Sequence, residues 1–160
     1  MTTTKLYQDI TQFMDEVGQR YDVDAEGGLV VAQIGGEHGT WYTYIQITDD
    51  DKARNVVIHA QLPARIPEIN RVKVAELLTK INYDLLLGNF ELGMADGEVL
   101  FKTAVDLADG ILTKAMFERL YMLNCDVMNE FYGEVCSLGF GDVGLVVGRG
   151  ESRPSGMMLQ

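Results

Sequence analysis

Between Glu68 and Leu87 apolar residues recur at helical spacing, and from Phe90 onward they alternate with polar ones. A helix therefore hands over directly to a hairpin. Val74, Leu78, Ile81 and Leu85 keep the rhythm of one helix face, and Gly88 suits the exit, where positive φ is common. Phe90, Leu92 and Met94 alternate with Glu91 and Gly93 as a half-buried strand. Asp96-Gly97 predicts a two-residue turn, with Val99, Phe101, Thr103 and Val105 on the returning strand.

The same reading extends to both sides. Leu6, Ile10, Phe13 and Val17 predict a first helix, with Thr3 or Thr4 as its N-cap. Leu29 to Ile34 reads as a strand and Trp41 to Ile47 as a second. In the second, Trp41, Thr43, Ile45 and Ile47 share one face, and Tyr42, Tyr44 and Gln46 the other. The triplet Asp49-Asp50-Asp51 turns the chain. Val56, Ile58, Ala60 and Leu62 then mark a third strand, and Pro63 and Pro67 separate it from the helix that follows. Thr113 is placed to cap a long last helix with Met116, Leu120, Leu123, Val127, Phe131 and Leu138 as its core stripe. The order αβββαββα is an α+β fold with helices packed against an antiparallel sheet. Residues 1–140 read as one domain and 141–160 as a Gly-rich C-terminal tail, in which Leu145 to Val147 suit a short strand.

Composition narrows the function. A chain of 160 residues with 47% hydrophobic content can bury a real core. Its formal net charge of −11 repels phosphate backbones and anionic lipid, so neither nucleic acid nor a membrane is expected as partner. No apolar run approaches the ~20 residues of a membrane span, and acidic residues interrupt the pattern of the N-terminal stretch, unlike a secretion signal. Cys125 and Cys136 sit on one predicted helix, ~16 Å apart by helical rise, too far for a disulfide. A reducing, cytoplasmic setting is the expectation.

Reactive chemistry is scarce. His38 and His59 lack neighbouring ligands, so no metal site is expected. The Asp49-Asp50-Asp51 run lacks the alternate spacing of a calcium loop. Gly139 to Gly144 spells GxGxxG, but behind a helix instead of a strand, where no dinucleotide would sit. Neither cysteine has a histidine close in sequence. The reading is a non-enzyme without cofactor or catalytic residue.

Surplus apolar surface is the positive signal. A second row on the central helix, Val72, Ala75, Thr79, Tyr83 and Leu86, runs beside the core row. On the last helix Met122, Cys125, Tyr132 and Cys136 lie opposite the predicted stripe. One sheet covers one face of each helix, so Val72, Ala75, Thr79, Tyr83, Leu86 and Met122 are candidate interface residues, for a homodimer or an unidentified protein partner. The alternative is a small-molecule sensor with a pocket between sheet and helices, lined by Trp41, Tyr42 and Tyr44.

The stretches VAELLTKINYDLLLGNFELGMADGEVLFKTAVDL and ILTKAMFERLYMLNCDVMNEFYGEV resemble the YbjN family of bacterial sensory-transduction regulators. The matching features are Asn82 in a Leu-rich helix, Gly88-x-Phe90, Gly97-Glu98-Val99 and Val105-Asp106-Leu107. The resemblance runs from Leu6 to Gly139. It implies the fold of the type III secretion chaperones, which are acidic, dimeric holders of extended protein segments. It also implies a regulatory or chaperone-like adaptor, and carries no catalytic motif to transfer.

Overall fold

Alternation along the strands decides which side of the sheet is covered. The computed structural model describes residues 4–24, 26, 28–50 and 52–141. In β3 (Thr40–Asp49), Trp41, Thr43, Ile45 and Ile47 are buried while Tyr42 and Gln46 are exposed. This is the period of two that a half-covered strand requires. β2 (Leu29–Gly35) adds Val30 and Ala32 to the buried side, β4 (Arg54–Gln61) adds Val56, Ile58 and Ala60, and β6 (Val99–Asp106) adds Val99, Phe101 and Thr103. With β1 (Asp22–Asp24) and β5 (Asn89–Leu92) they form one antiparallel sheet in the order β1-β2-β3-β4-β6-β5.

Three helices complete the same core: α1 (Lys5–Glu16), α2 (Glu68–Asp84) and α3 (Lys114–Phe140). α1 starts on Thr4, whose hydroxyl accepts from the Tyr7 N–H at 3.3 Å. α3 starts on Thr113, which accepts from the Met116 N–H at 3.1 Å. α1 meets α3 through Phe13 and Phe117, edge to face with ring centroids 5.0 Å apart. Asn124 holds α3 on the sheet, donating to the carbonyls of Ile58 at 3.0 Å and Phe101 at 3.1 Å. Burying a side chain such as Trp41 or Phe101 in full contributes about 1.5–3 kcal/mol. The architecture is thus mixed α+β, with the helices on one face of a six-stranded antiparallel sheet.

Four details differ from the sequence reading. An extra strand, β1, pairs with β2; Asp22 and Asp24 gave it no apolar signature, and only the partner defines it. The β5–β6 connection spans residues 93–98 instead of two, because Gly97 alone takes positive φ (80°) and Asp96 does not. Met94 consequently lies exposed in the loop instead of on the strand. On α3 the buried surface is wider than the predicted stripe: Val127 is buried and Leu120, Leu123 and Phe131 pack against the core as read, Met116 and Leu138 are exposed, and Cys125, Tyr132 and Cys136 on the opposite side are buried as well. A helix of 27 residues crossing both the sheet and two other helices buries much more of its circumference than one stripe. Finally, α1 closes at Glu16, leaving Val17 exposed, and Tyr7 and Met14 join the core in its place. The tail from Asp142 onward, with Leu145 to Val147, lies outside the described residues.

Candidate interaction surface

α2 is apolar on both sides, and tertiary packing chooses one of them. Val74, Leu78 and Ile81 are buried against the core. Opposite them Val72 is 61% exposed, Tyr83 90% and Leu86 94%. Ala75 is half-buried, and Thr79 is exposed with its hydroxyl donating back to the Ala75 carbonyl at 2.8 Å. The helix stops at Asp84, so Leu86 sits just beyond it, next to an exposed Leu87. Met122 does not join this row: it is half-buried on α3 and packs against the core. Ile69, at 84% exposure, is an addition that the row's spacing did not include. The apolar surface therefore forms two groups, Ile69 with Val72 at the start of α2, and Tyr83 with Leu86 and Leu87 at its end.

Both ends of α2 are held firmly beneath this surface. At the start, Arg71 donates from Nε to the Ile66 carbonyl at 3.0 Å, and from its terminal nitrogen to the carbonyls of Met94 and Ala95, each at 3.1 Å. Gly97 fits the same corner, since a Cβ there would collide with the Ile66 carbonyl. Asn70 donates to the Gly139 carbonyl at 2.9 Å and ties the end of α3 to α2. At the far end, Asn82 bonds both backbone groups of Phe90. The exposed apolar side chains stand on a rigid support, which limits the entropy lost when a partner orders them.

Among the described residues the shifted titratable groups are governed by burial and local hydrogen bonds. Burial pushes the Cys136 thiol up to about 11 and the Tyr132 hydroxyl up to about 12, so neither ionises at neutral pH. Cys125 and Cys136 are both buried and reduced. His59 stands on the sheet face away from the helices, opposite Tyr44 on one side and Lys102 on the other. Burial lowers its pKa, with Glu91 pulling upward and Lys102 downward. Burial alone would raise Glu91, but hydrogen bonds from Lys102 and Asn89 outweigh it and the carboxyl ends lower. Among the described residues no group of His, Cys, Asp or Glu is arranged to hold a metal ion. Gly139, the first glycine of the GxGxxG match, packs against Ile66 and Val74, and Asp142 to Gly144 lie outside the described residues.

Trp41, Tyr42 and Tyr44 do not line one pocket. Trp41 is 1% exposed on the helix side, whereas Tyr42 and Tyr44, with centroids 6.4 Å apart, are on the other face. Adjacent strand residues point to opposite sides, which separates Trp41 from its neighbour. A cleft of mixed lining does open elsewhere, between α1 and the start of α3. Its residues come from two stretches far apart in sequence, so no local pattern marked it.

Comparison with known proteins agrees with this fold. The chain belongs to the YbjN family: the family model, described as "Putative bacterial sensory transduction regulator", matches residues 7–137. No curated protein matches the sequence. Among solved structures, the chain is similar to the "Crystal structure of YbjN, a putative transcription regulator from E. coli". That likeness has a TM-score of 0.59 at 15% identity, over 80% of this chain and 92% of the other. At such identity it speaks for the fold. No helix among the described residues is long and apolar enough to cross a membrane.

Proposed function

We propose that this chain is a non-enzymatic regulatory adaptor that pairs as a homodimer and holds a segment of a partner protein on the apolar positions of α2. One observation carries the reading: Val72 and Tyr83 on α2, and Leu86 just beyond its end, stay exposed while the opposite side of the helix is sealed into the core. Keeping such side chains in water forgoes their burial energy, about 1.5–3 kcal/mol for each when fully covered. A partner recovers that energy. The E. coli structure is titled "a putative transcription regulator". With a net charge of −11, any comparable role here runs through protein contacts in preference to direct DNA contact.

Sedimentation over a concentration series tests the homodimer. The full chain is expected to sediment as a dimer, and the double variant Val72→Asp, Leu86→Asp as a folded monomer. A wild-type chain that stays monomeric throughout would remove the pairing. Partners retained by wild type and lost from the double variant would support segment binding, and equal retention by both would place the contact elsewhere.

A further inference from the structure

α3 ends beside the start of α2. Asn70 donates to the Gly139 carbonyl at 2.9 Å, and Gly141 caps α3 just beyond it. The chain therefore leaves the described fold next to Ile69 and Val72, the first exposed apolar group of α2. The sequence that follows repeats the order of the α2 surface with its charges inverted. Leu145, Val146 and Val147 come first, then Arg149, Glu151 and Arg153, then Met157, Met158 and Leu159. On α2, Ile69 and Val72 are followed by Glu76, Lys80 and Asp84, and the second apolar group of Tyr83, Leu86 and Leu87 closes the row.

Lengths agree as well as signs. Glu76, Lys80 and Asp84 recur every four residues, which sets them side by side on the helix. From Glu76 to Asp84 is ~12 Å at helical rise, and Arg149 to Arg153 covers ~13 Å of extended chain. From Ile69 to Glu76 is ~10 Å of helix, against ~13 Å of extended chain from Leu145 to Arg149. Glu76, Lys80 and Asp84 are exposed, and none forms an ion pair with another described residue.

We propose that the exposed row of α2 is the docking surface of this chain's own C-terminal segment, residues 145–159 running along the helix in the same direction. Leu145 to Val147 cover Ile69 and Val72, and Met157 to Leu159 cover Tyr83, Leu86 and Leu87. Arg149, Glu151 and Arg153 meet Glu76, Lys80 and Asp84. Exposed ion pairs add little attraction, so they set the register while the apolar groups at the two ends supply the attachment. A segment on the same chain acts at an effective concentration of about a millimolar, which populates even a weak contact. The consequence rests on the adaptor reading: a second copy or a partner segment must displace the tail to reach α2. The tail is then a built-in competitor, and the full chain pairs at a higher concentration than it would without one.

The test uses the full chain with two added cysteines, Thr79→Cys on α2 and Ser152→Cys in the tail, which the register sets across from each other. Cys125 and Cys136 are buried and do not compete. In dilute solution under mild oxidation the new pair is expected to form a disulfide within one chain, read by mass spectrometry. Leu145→Ser, Val147→Ser, Met157→Ser and Leu159→Ser together keep the length of the tail. They are expected to slow the disulfide about tenfold, the factor that corresponds to 1.4 kcal/mol of lost contact. Arg149→Glu is expected to slow it too, and Glu76→Arg in the same chain to restore the rate. Equal rates with and without the four apolar anchors overturn the proposal. So does a disulfide that joins two chains only, which would give the surface to a second copy, and so does failure of Glu76→Arg to rescue Arg149→Glu. Sedimentation tests the consequence separately, with the four-serine chain expected to pair at lower concentration than wild type. A slowed disulfide in a chain that never pairs would support the tail contact and remove the homodimer, which separates the two failures.

Discussion

Asn82 closes the outer edge of the sheet by bonding both backbone groups of Phe90. Its Nδ2 donates to the Phe90 carbonyl at 3.0 Å, and its Oδ1 accepts from the Phe90 N–H at 2.7 Å. β5 is the last strand on this side, so these backbone groups have no strand to pair with. A side-chain amide presents an N–H donor beside a C=O acceptor at the spacing of a peptide group, and therefore stands in for the missing neighbour. An open edge is a template for aggregation. Here α2 and its asparagine cover it.

Asn82→Ala is expected to lower unfolding stability by about 2 kcal/mol, since two half-buried backbone groups lose their partners. Urea denaturation measures it directly. The variant should also self-associate more readily through β5. An unchanged midpoint would show that water replaces the amide at no cost.

Tyr83→Ser and Leu86→Ser are expected to change stability by less than about 0.5 kcal/mol, because side chains this exposed lose little in the folded monomer. Phe101→Ala, fully buried, should cost about 3–5 kcal/mol. Comparing the three by thermal denaturation separates surface from core. A large loss from Tyr83→Ser would mean that its ring already packs against something in solution.

His59 makes stability depend on pH. Burial lowers its folded pKa below the ordinary 6.5, so on acidification the unfolded chain takes up a proton first. The contribution is complete above 6.5 and is lost as pH falls through the folded pKa. His59→Gln is expected to flatten the decline in stability across this window. Parallel curves for both chains would assign the decline to carboxylates.

Cys136 should resist alkylation. With its thiol pushed up to about 11 by burial, it holds little thiolate at pH 8. Mass spectrometry after iodoacetamide is expected to show no adduct on the native chain within the time that both cysteines react in denaturant. Rapid native labelling at Cys136 would point to opening of the end of α3.

Much of the fold was legible because local periodicity carries it. Trp41, Thr43, Ile45 and Ile47 could be assigned to one face by alternation alone, and Thr113 could be placed as a cap by its position before an apolar run. β1 was not legible, since Asp22-Val23-Asp24 has no pattern of its own and becomes a strand only by pairing with β2. Nor were the buried faces of α3: a helix contacting several elements lacks the single stripe that periodicity detects. Asn82 and Phe90 stood out as a sequence feature, but their spacing did not reveal that one completes the hydrogen bonds of the other.

The row on α2 shows the same division. The sequence by itself determined that two apolar rows exist on one helix, and that −11 of charge surrounds them. Only the tertiary structure decided that Val74, Leu78 and Ile81 face the sheet while Val72 and Tyr83 face solvent. Either row satisfies the helical period. The choice rests on what lies across the gap, where Ile66, Phe90 and Gly139 approach from separate parts of the chain and fit one row alone. The helix also stops at Asp84, and Leu86 leaves the row for the loop beyond it.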